Sequence, residues 1–94
     1  SAIRLTGTGA FPFTGIETSS NTNASTSIIN SSIDIIHENV NGNAVALHNG
    51  RGSSMTVLDS SLSVEGAHVA IARGAVTVND GTTCRVNGAI TACA

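Results

Sequence analysis

The sequence predicts an all-β chain folded as a right-handed parallel β-helix of about three to four coils. Three observations carry this. Apolar and polar residues alternate over short runs, as in Ile33-Asp34-Ile35 and Leu62-Ser63-Val64. The runs are closed by Asn49-Gly50, Arg73-Gly74, Asn79-Asp80-Gly81 and Asn87-Gly88, residue types that tolerate the sharp backbone of turns. The runs also repeat. Ile28-Ile29-Asn30-Ser31-Ser32-Ile33-Asp34-Ile35 reads in parallel with Val57-Leu58-Asp59-Ser60-Ser61-Leu62-Ser63-Val64, a shift of 29 residues (57 − 28).

Each element follows from its composition. Ala2 to Leu5 is a first short strand, broken by Thr6 to Gly9. Phe11-Pro12-Phe13 is an edge or a bend, because proline cannot donate to a ladder. Thr14 to Thr18 is a short strand. Residues 19–27 carry nothing apolar larger than Ala24 and are expected to form a polar loop. Ser27 to Ile36 is the strongest strand region. Ala44 to His48 follows, then the turn Asn49 to Gly52. Met55 to Leu58 and Leu62 to Val64 are separated near Asp59. Val69 to Ala72 and Ala75 to Val78 are closed by their own turns, and Cys84 to Val86 and Ala89 to Thr91 flank Asn87-Gly88. No segment has a helical period with caps.

Stacking the repeats assigns faces. Val45 to Gly50 matches Val69 to Gly74 with a shift of 24 (69 − 45), and a weaker third copy sets Cys84 where Leu62 stood, a shift of 22 (84 − 62). The expected inward ladders are Ile33 with Leu62 and Cys84, and Ile35 with Val64 and Val86. Asn30, Asp59 and Asp80 form the turn ladder. Asn30, Asp34, Ser63 and Arg85 are the candidate contacts on the outer face. The alternative is a small antiparallel β-sandwich with Asn87-Gly88 as a hairpin turn.

Composition narrows the function. At 94 residues the chain is a single domain, 1–94, and it reads as a segment of a longer surface protein. Its net charge of −2 and 11% charged residues exclude the basic footprint of a nucleic-acid binder. The only cations besides histidine are Arg4, Arg51, Arg73 and Arg85. Phe11 and Phe13 are the only aromatic residues besides histidine, so burial must come from Ile, Val, Leu and Ala. No apolar run is long enough to cross a membrane, so membrane insertion is not expected. Cys84 and Cys93 lack metal-ligand spacing; one disulfide in an oxidising compartment is preferred to free thiols.

Catalytic and metal chemistry find little to stand on. His37, His48 and His68 do not align in the repeat and read as surface or loop histidines. The acids Glu17, Asp34, Glu38, Asp59, Glu65 and Asp80 read mainly as turn acids. Glycoside hydrolysis needs two carboxylates straddling a sugar, and Asp59 and Asp80 would stack too closely for that. Trp and Tyr, the usual sugar platforms, are absent. Arg51-Gly52-Ser53 is a plain turn, and Asn23-Ala24-Ser25 and Asn30-Ser31-Ser32 match the glycosylation pattern by composition alone. No cofactor, metal or catalytic residue is expected.

Val45 to Gly50, Met55 to Val64, Val69 to Gly74 and Val76 to Val78 together form a pattern. It runs apolar-x-apolar-x-x-Gly, then Met-Thr-Val or Val-Thr-Val, then Asp/Asn-Ser-Ser-apolar-x-apolar. This pattern resembles the passenger domains of bacterial autotransporters of the pertactin type, over residues 27–91. Residues 1–26 match less well, and the Cys84 and Cys93 pair departs from the family's low cysteine use. The resemblance implies secretion and display on the bacterial outer surface, with roles in adhesion, aggregation or host-cell modulation. The expected function is therefore a structural and adhesive module. Its partner would be a host surface protein or glycan, another copy of itself, or neighbouring coils of the same protein. Two other readings stand beside it: a fragment of a carbohydrate-active β-helix enzyme or phage tailspike, and a secreted toxin or receptor-binding effector.

Overall fold

A computed structural model describes residues 2–9, 12–19 and 23–93. Those residues form an all-β structure without helix, built from eleven strands. The strands are β1 (Ala2–Gly7), β2 (Phe13–Glu17), β3 (Ser25–Ile29), β4 (Ser32–His37), β5 (Asn43–His48), β6 (Ser54–Leu58), β7 (Ser61–Glu65), β8 (His68–Arg73), β9 (Thr77–Val78), β10 (Thr83–Val86) and β11 (Ala89–Thr91).

The strands sort into three sheets by every third element. Sheet A has the order β1-β4-β7-β10-β11, sheet B β2-β5-β8 and sheet C β3-β6-β9. The chain thus visits A, B and C in turn and returns to A one strand further along. Every pairing is parallel except β10 with β11. Parallel neighbours need a long crossover between them; here the strands of the other two sheets supply it.

In sheet A, Ile3, Ile33, Leu62 and Cys84 lie in one row, and Leu5, Ile35, Val64 and Val86 in the next. Period-2 alternation turns both rows inward. Ile33, Ile35, Leu62 and Val64 are fully buried and Cys84 nearly so, while Val86 is half-buried near the end of the sheet. Leu47, Val57, Met55 and Ile71 complete the interior from sheets B and C. Each such aliphatic side chain contributes roughly 1.5–3 kcal/mol on burial. The uniform row spacing suits small branched residues better than rings.

The corners carry the polar bookkeeping. Asn30 and Asp59 both take the left-handed backbone, at φ 49° and 50°; Asn30 breaks what read as one strand from Ser27 to Ile36 into β3 and β4, and Asp59 separates β6 from β7. Behind them, Ser60 Oγ accepts from the Ser31 N–H at 3.2 Å, and Thr82 Oγ1 accepts from the Ser60 N–H at 3.2 Å. Among the described residues no buried side-chain polar atom lacks a hydrogen bond.

Four expectations need correction. The polar loop 19–27 is too long, because Ser25 to Ser27 belong to β3 and pair with Ser54 to Thr56; residues 20–22 lie outside the described residues, as does Phe11. The turn ladder does not continue to Asp80. Asn79 occupies the third tier: its Oδ1 accepts from the Asp59 N–H at 3.0 Å and its Nδ2 donates to Asp59 Oδ1 at 3.0 Å, and Asp80 is exposed. The sheet B shift is 25 (69 − 44), not 24, because Ala44 pairs with Val69 and Val45 with Ala70. Aligning Gly50 with Gly74 misled the match, since Gly74 sits against the Asn49 backbone instead. His37 is buried, not a surface residue: its ring stacks on Phe13 at 4.8 Å between centroids, and Nδ1 accepts from the Asn39 N–H at 3.3 Å. A Cβ on Gly42 would overlap the same ring.

Candidate functional site

With the interior filled by aliphatic side chains, chemistry is left to the outer faces, the corners and the two ends of the stack. The outer row of sheet A contains Arg4, Asp34, Ser63 and Arg85 in register. Asp34 and Ser63 are half-buried and Arg85 is exposed. Three of the four outer-face candidates therefore share one row. Asn30 does not; it lies exposed at the corner between sheets C and A, with its N–H donated to Leu58 O at 3.1 Å. From β1 to β10 the row runs Arg, Asp, Ser, Arg.

Sheet B ends in a second charged row, Glu17, His48 and Arg73. Glu17 Oε1 and His48 Nδ1 lie 3.3 Å apart, both largely exposed. Water screens such a pair, and it contributes little to stability.

The outer face of sheet C differs from both. Ser25 and Ser54 form one row, and Ser27, Thr56 and Thr77 a second. Their neighbours Ile28, Met55 and Val57 point inward and are buried, so these hydroxyl side chains stand on the outside. Ser54 Oγ donates to Ser25 Oγ at 3.4 Å along the stack. Ile29 and Leu58 form an apolar margin, with Ile29 53% exposed. None of these positions carries a charge. The hydroxyls repeat about 4.8 Å apart between strands and about 6.6 Å apart along a strand. The sequence reading missed this face because its members come from segments 29 and 21 residues apart (54 − 25 and 77 − 56). The only local signal was Ser25-Thr26-Ser27, which reads as loop.

Beside this face, Asn49 fixes the corner between sheets B and C. It is 4% exposed, and its Nδ2 donates to Ser53 O and Ala75 O, each at 2.8 Å. Its Oδ1 accepts from Thr18 Oγ1 at 2.6 Å, and the same hydroxyl accepts from the Gly50 N–H at 2.8 Å. One side chain thus ties three successive levels of the stack, spanning residues 18, 53 and 75. In the sequence Asn49 read only as a turn residue.

The far end of sheet A is closed by β11. Asn87 and Gly88 both have positive φ, 50° and 82°, which is the two-residue hairpin geometry that returns the chain antiparallel. Asn87 also reaches back one level: its Oδ1 accepts from the Gly66 N–H at 2.8 Å and its Nδ2 donates to Gly66 O at 3.1 Å. Cys84 and Cys93 form a disulfide, with their Cα atoms 5.4 Å apart. A polar cleft of about 570 Å³ lies beside this end, lined by Val78, Asn79, Asp80, Thr82, Thr91 and Cys93 among others. Its lining holds one carboxylate, Asp80, three threonine hydroxyls and no histidine or lysine. Among the described residues no three His, Cys, Asp or Glu side chains converge on a metal-binding position, and no helix is long and apolar enough to cross a membrane.

Comparison with protein-family models, with curated proteins and with solved structures found no match.

Proposed function

We propose that this chain is a non-enzymatic display module. It would be a run of right-handed parallel β-helix from an exported bacterial surface protein of the pertactin-like autotransporter kind. The hand follows from the general preference of parallel crossovers. The autotransporter assignment rests on the sequence pattern of residues 27–91 alone. The observation that carries the functional reading is the outer face of sheet C, where uncharged hydroxyls from three levels stand in register beside an apolar margin. A rigid row of such groups favours many weak hydrogen bonds to an extended neutral partner, such as a glycan or a flat protein surface, over binding of a small molecule.

Adhesion assays test it. The chain, coupled to beads, is expected to bind host epithelial cells or a neutral glycan array saturably. Ser27→Arg and Thr56→Arg should abolish binding while leaving the circular dichroism spectrum unchanged. Ser63→Arg on sheet A should have little effect. Binding that is insensitive to both sheet C variants would sink the reading.

A further inference from the structure

Three Asn-Gly pairs occur in the chain: Asn41-Gly42, Asn49-Gly50 and Asn87-Gly88. In such a pair the amide nitrogen of glycine can attack the side-chain carbonyl carbon of asparagine, because glycine has no Cβ to hinder the approach. The fold restrains the three unequally. Asn49 is buried, its side chain makes three hydrogen bonds, and the Gly50 N–H donates to Thr18 Oγ1. Asn87 is exposed, but two hydrogen bonds clasp its side chain to Gly66. Asn41 is exposed, and among the described residues its side chain makes no hydrogen bond. The bond that has to open there is the one from the Gly42 N–H to Asn39 O, at 3.0 Å.

We propose that Asn41-Gly42 is a self-modification site, the pair at which the folded chain deamidates first. The Gly42 nitrogen bonds to Cγ of Asn41 and gives up its proton. The Cγ–Nδ2 bond breaks and ammonia leaves, which closes a succinimide ring. Water then opens the ring in one of two ways. Attack at Cγ gives aspartate. Attack at the former main-chain carbonyl gives isoaspartate, with the main chain rerouted through the side chain. Water is the sole co-reactant, and nothing is oxidised or reduced.

The second product disturbs the corner on which it forms. Gly42 is buried, and a Cβ on it would overlap the His37 ring, which stacks on Phe13. Isoaspartate lengthens the main chain by one atom just before Gly42, where the ring leaves no room for it. The turn from Asn39 to Gly42 must then move off the ring. Asn39 anchors that turn: its Oδ1 accepts from the Asn41 N–H at 2.9 Å, and its Nδ2 donates to Thr8 O at 3.3 Å. Aspartate adds only a charge at an exposed position and leaves the turn as it was. This corner joins β4 of sheet A to β5 of sheet B, so the hydroxyl face of sheet C is untouched. The inference therefore goes beyond the display reading and does not rest on it.

The test ages the full chain, disulfide intact, at mildly alkaline pH in water carrying heavy oxygen. Tandem mass spectrometry follows each asparagine in the folded chain and in the same chain unfolded by denaturant. Unfolded, the three pairs should react at similar rates. Folded, one hydrogen bond to open slows Asn41 about fivefold, two slow Asn87 about thirtyfold, and four slow Asn49 roughly a thousandfold. Asn41→Ser should keep the circular dichroism spectrum and remove the early product. The isoaspartyl form should exchange the Gly42 and Asn43 amides faster than the parent, and Asn41→Asp should exchange them as the parent does. Deamidation led by Asn87 or Asn49 overturns the proposal, as does a folded chain in which Asn41 survives as long as Asn49. An isoaspartyl form that exchanges like the parent overturns the effect on the corner.

Discussion

Replacing Leu62 by alanine tests the closed interior at its middle. Leu62 is fully buried, with Ile33 on one side in its row and Cys84 on the other. Removing three carbons forfeits about 2.4 kcal/mol of transfer free energy at 0.8 kcal/mol each. The void adds to this when its walls cannot move in, and Leu→Ala costs then reach about 3–5 kcal/mol. Here the walls along the stack are strands held by backbone hydrogen bonds, so relaxation is limited and about 4 kcal/mol is expected. That is a large share of the roughly 5–15 kcal/mol available to a domain. Urea denaturation followed by far-ultraviolet circular dichroism, with the disulfide intact, reads the loss as a lower midpoint at unchanged slope. Ser63→Ala, one residue along and facing outward, should cost no more than about 0.5 kcal/mol. Should Leu62→Ala unfold the chain outright, Leu62→Val should cost about 1 kcal/mol and lower the midpoint accordingly. A cost for Leu62→Ala below about 1.5 kcal/mol, or no greater than that of Ser63→Ala, would refute a packed interior at this row.

Further outcomes follow from the corners and the far end. Asn49→Leu keeps the volume but strands the carbonyls of Ser53 and Ala75; thermal and urea melts should show a loss of about 2–4 kcal/mol. Reducing the Cys84–Cys93 bridge, whose ends are 9 residues apart, should cost roughly 2.6 kcal/mol by loop entropy. The same treatment should raise hydrogen exchange in β10 and β11 before β4 or β7 respond. Gly74 and Gly88 have similar positive φ, 86° and 82°. A Cβ at 74 meets the Asn49 carbonyl, while one at 88 meets nothing within 4 Å. Gly88→Ala should therefore cost about 1–2 kcal/mol from the left-handed backbone alone, and Gly74→Ala clearly more in the same melt.

What could be read from the sequence was whatever repeats along one strand period. Ile33-Asp34-Ile35 and Leu62-Ser63-Val64 name their own faces, because apolar and polar residues alternate and the two copies are flanked alike. Asn30 and Asp59 stand out for the same reason: both precede a Ser-Ser pair and both suit a left-handed backbone. Readability ended where identity and position separate. Asn79 and Asp80 are equally good turn residues, and only hydrogen bonding to Asp59 chooses between them. A shared glycine pulled the sheet B alignment one residue off, setting Val45 against Val69 where it pairs with Ala70. Ser25-Thr26-Ser27 has no apolar alternation, so its membership of β3 comes from pairing with Ser54 to Thr56 rather than from propensity. His37 lies against nearby Gly42 and stacks on Phe13, 24 residues back (37 − 13), and that distance hid the contact. The hydroxyl face is assembled from three segments, none of which announces it singly.

Cross-strand nuclear Overhauser effects test the central claim, three sheets stacked by parallel pairing, most directly. Parallel pairing predicts contacts at constant offset: Ile33 with Leu62, Asp34 with Ser63 and Ile35 with Val64 all differ by 29 residues. Contacts of β7 with β10 should fall at an offset of 22 (84 − 62). Only β10 with β11 should show the constant-sum pattern of antiparallel strands, as in Cys84 with Thr91 and Val86 with Ala89. Finding those offsets would establish the stack on which the display face depends. Constant-sum contacts across β4 and β7 would contradict it and return the chain to an antiparallel sandwich.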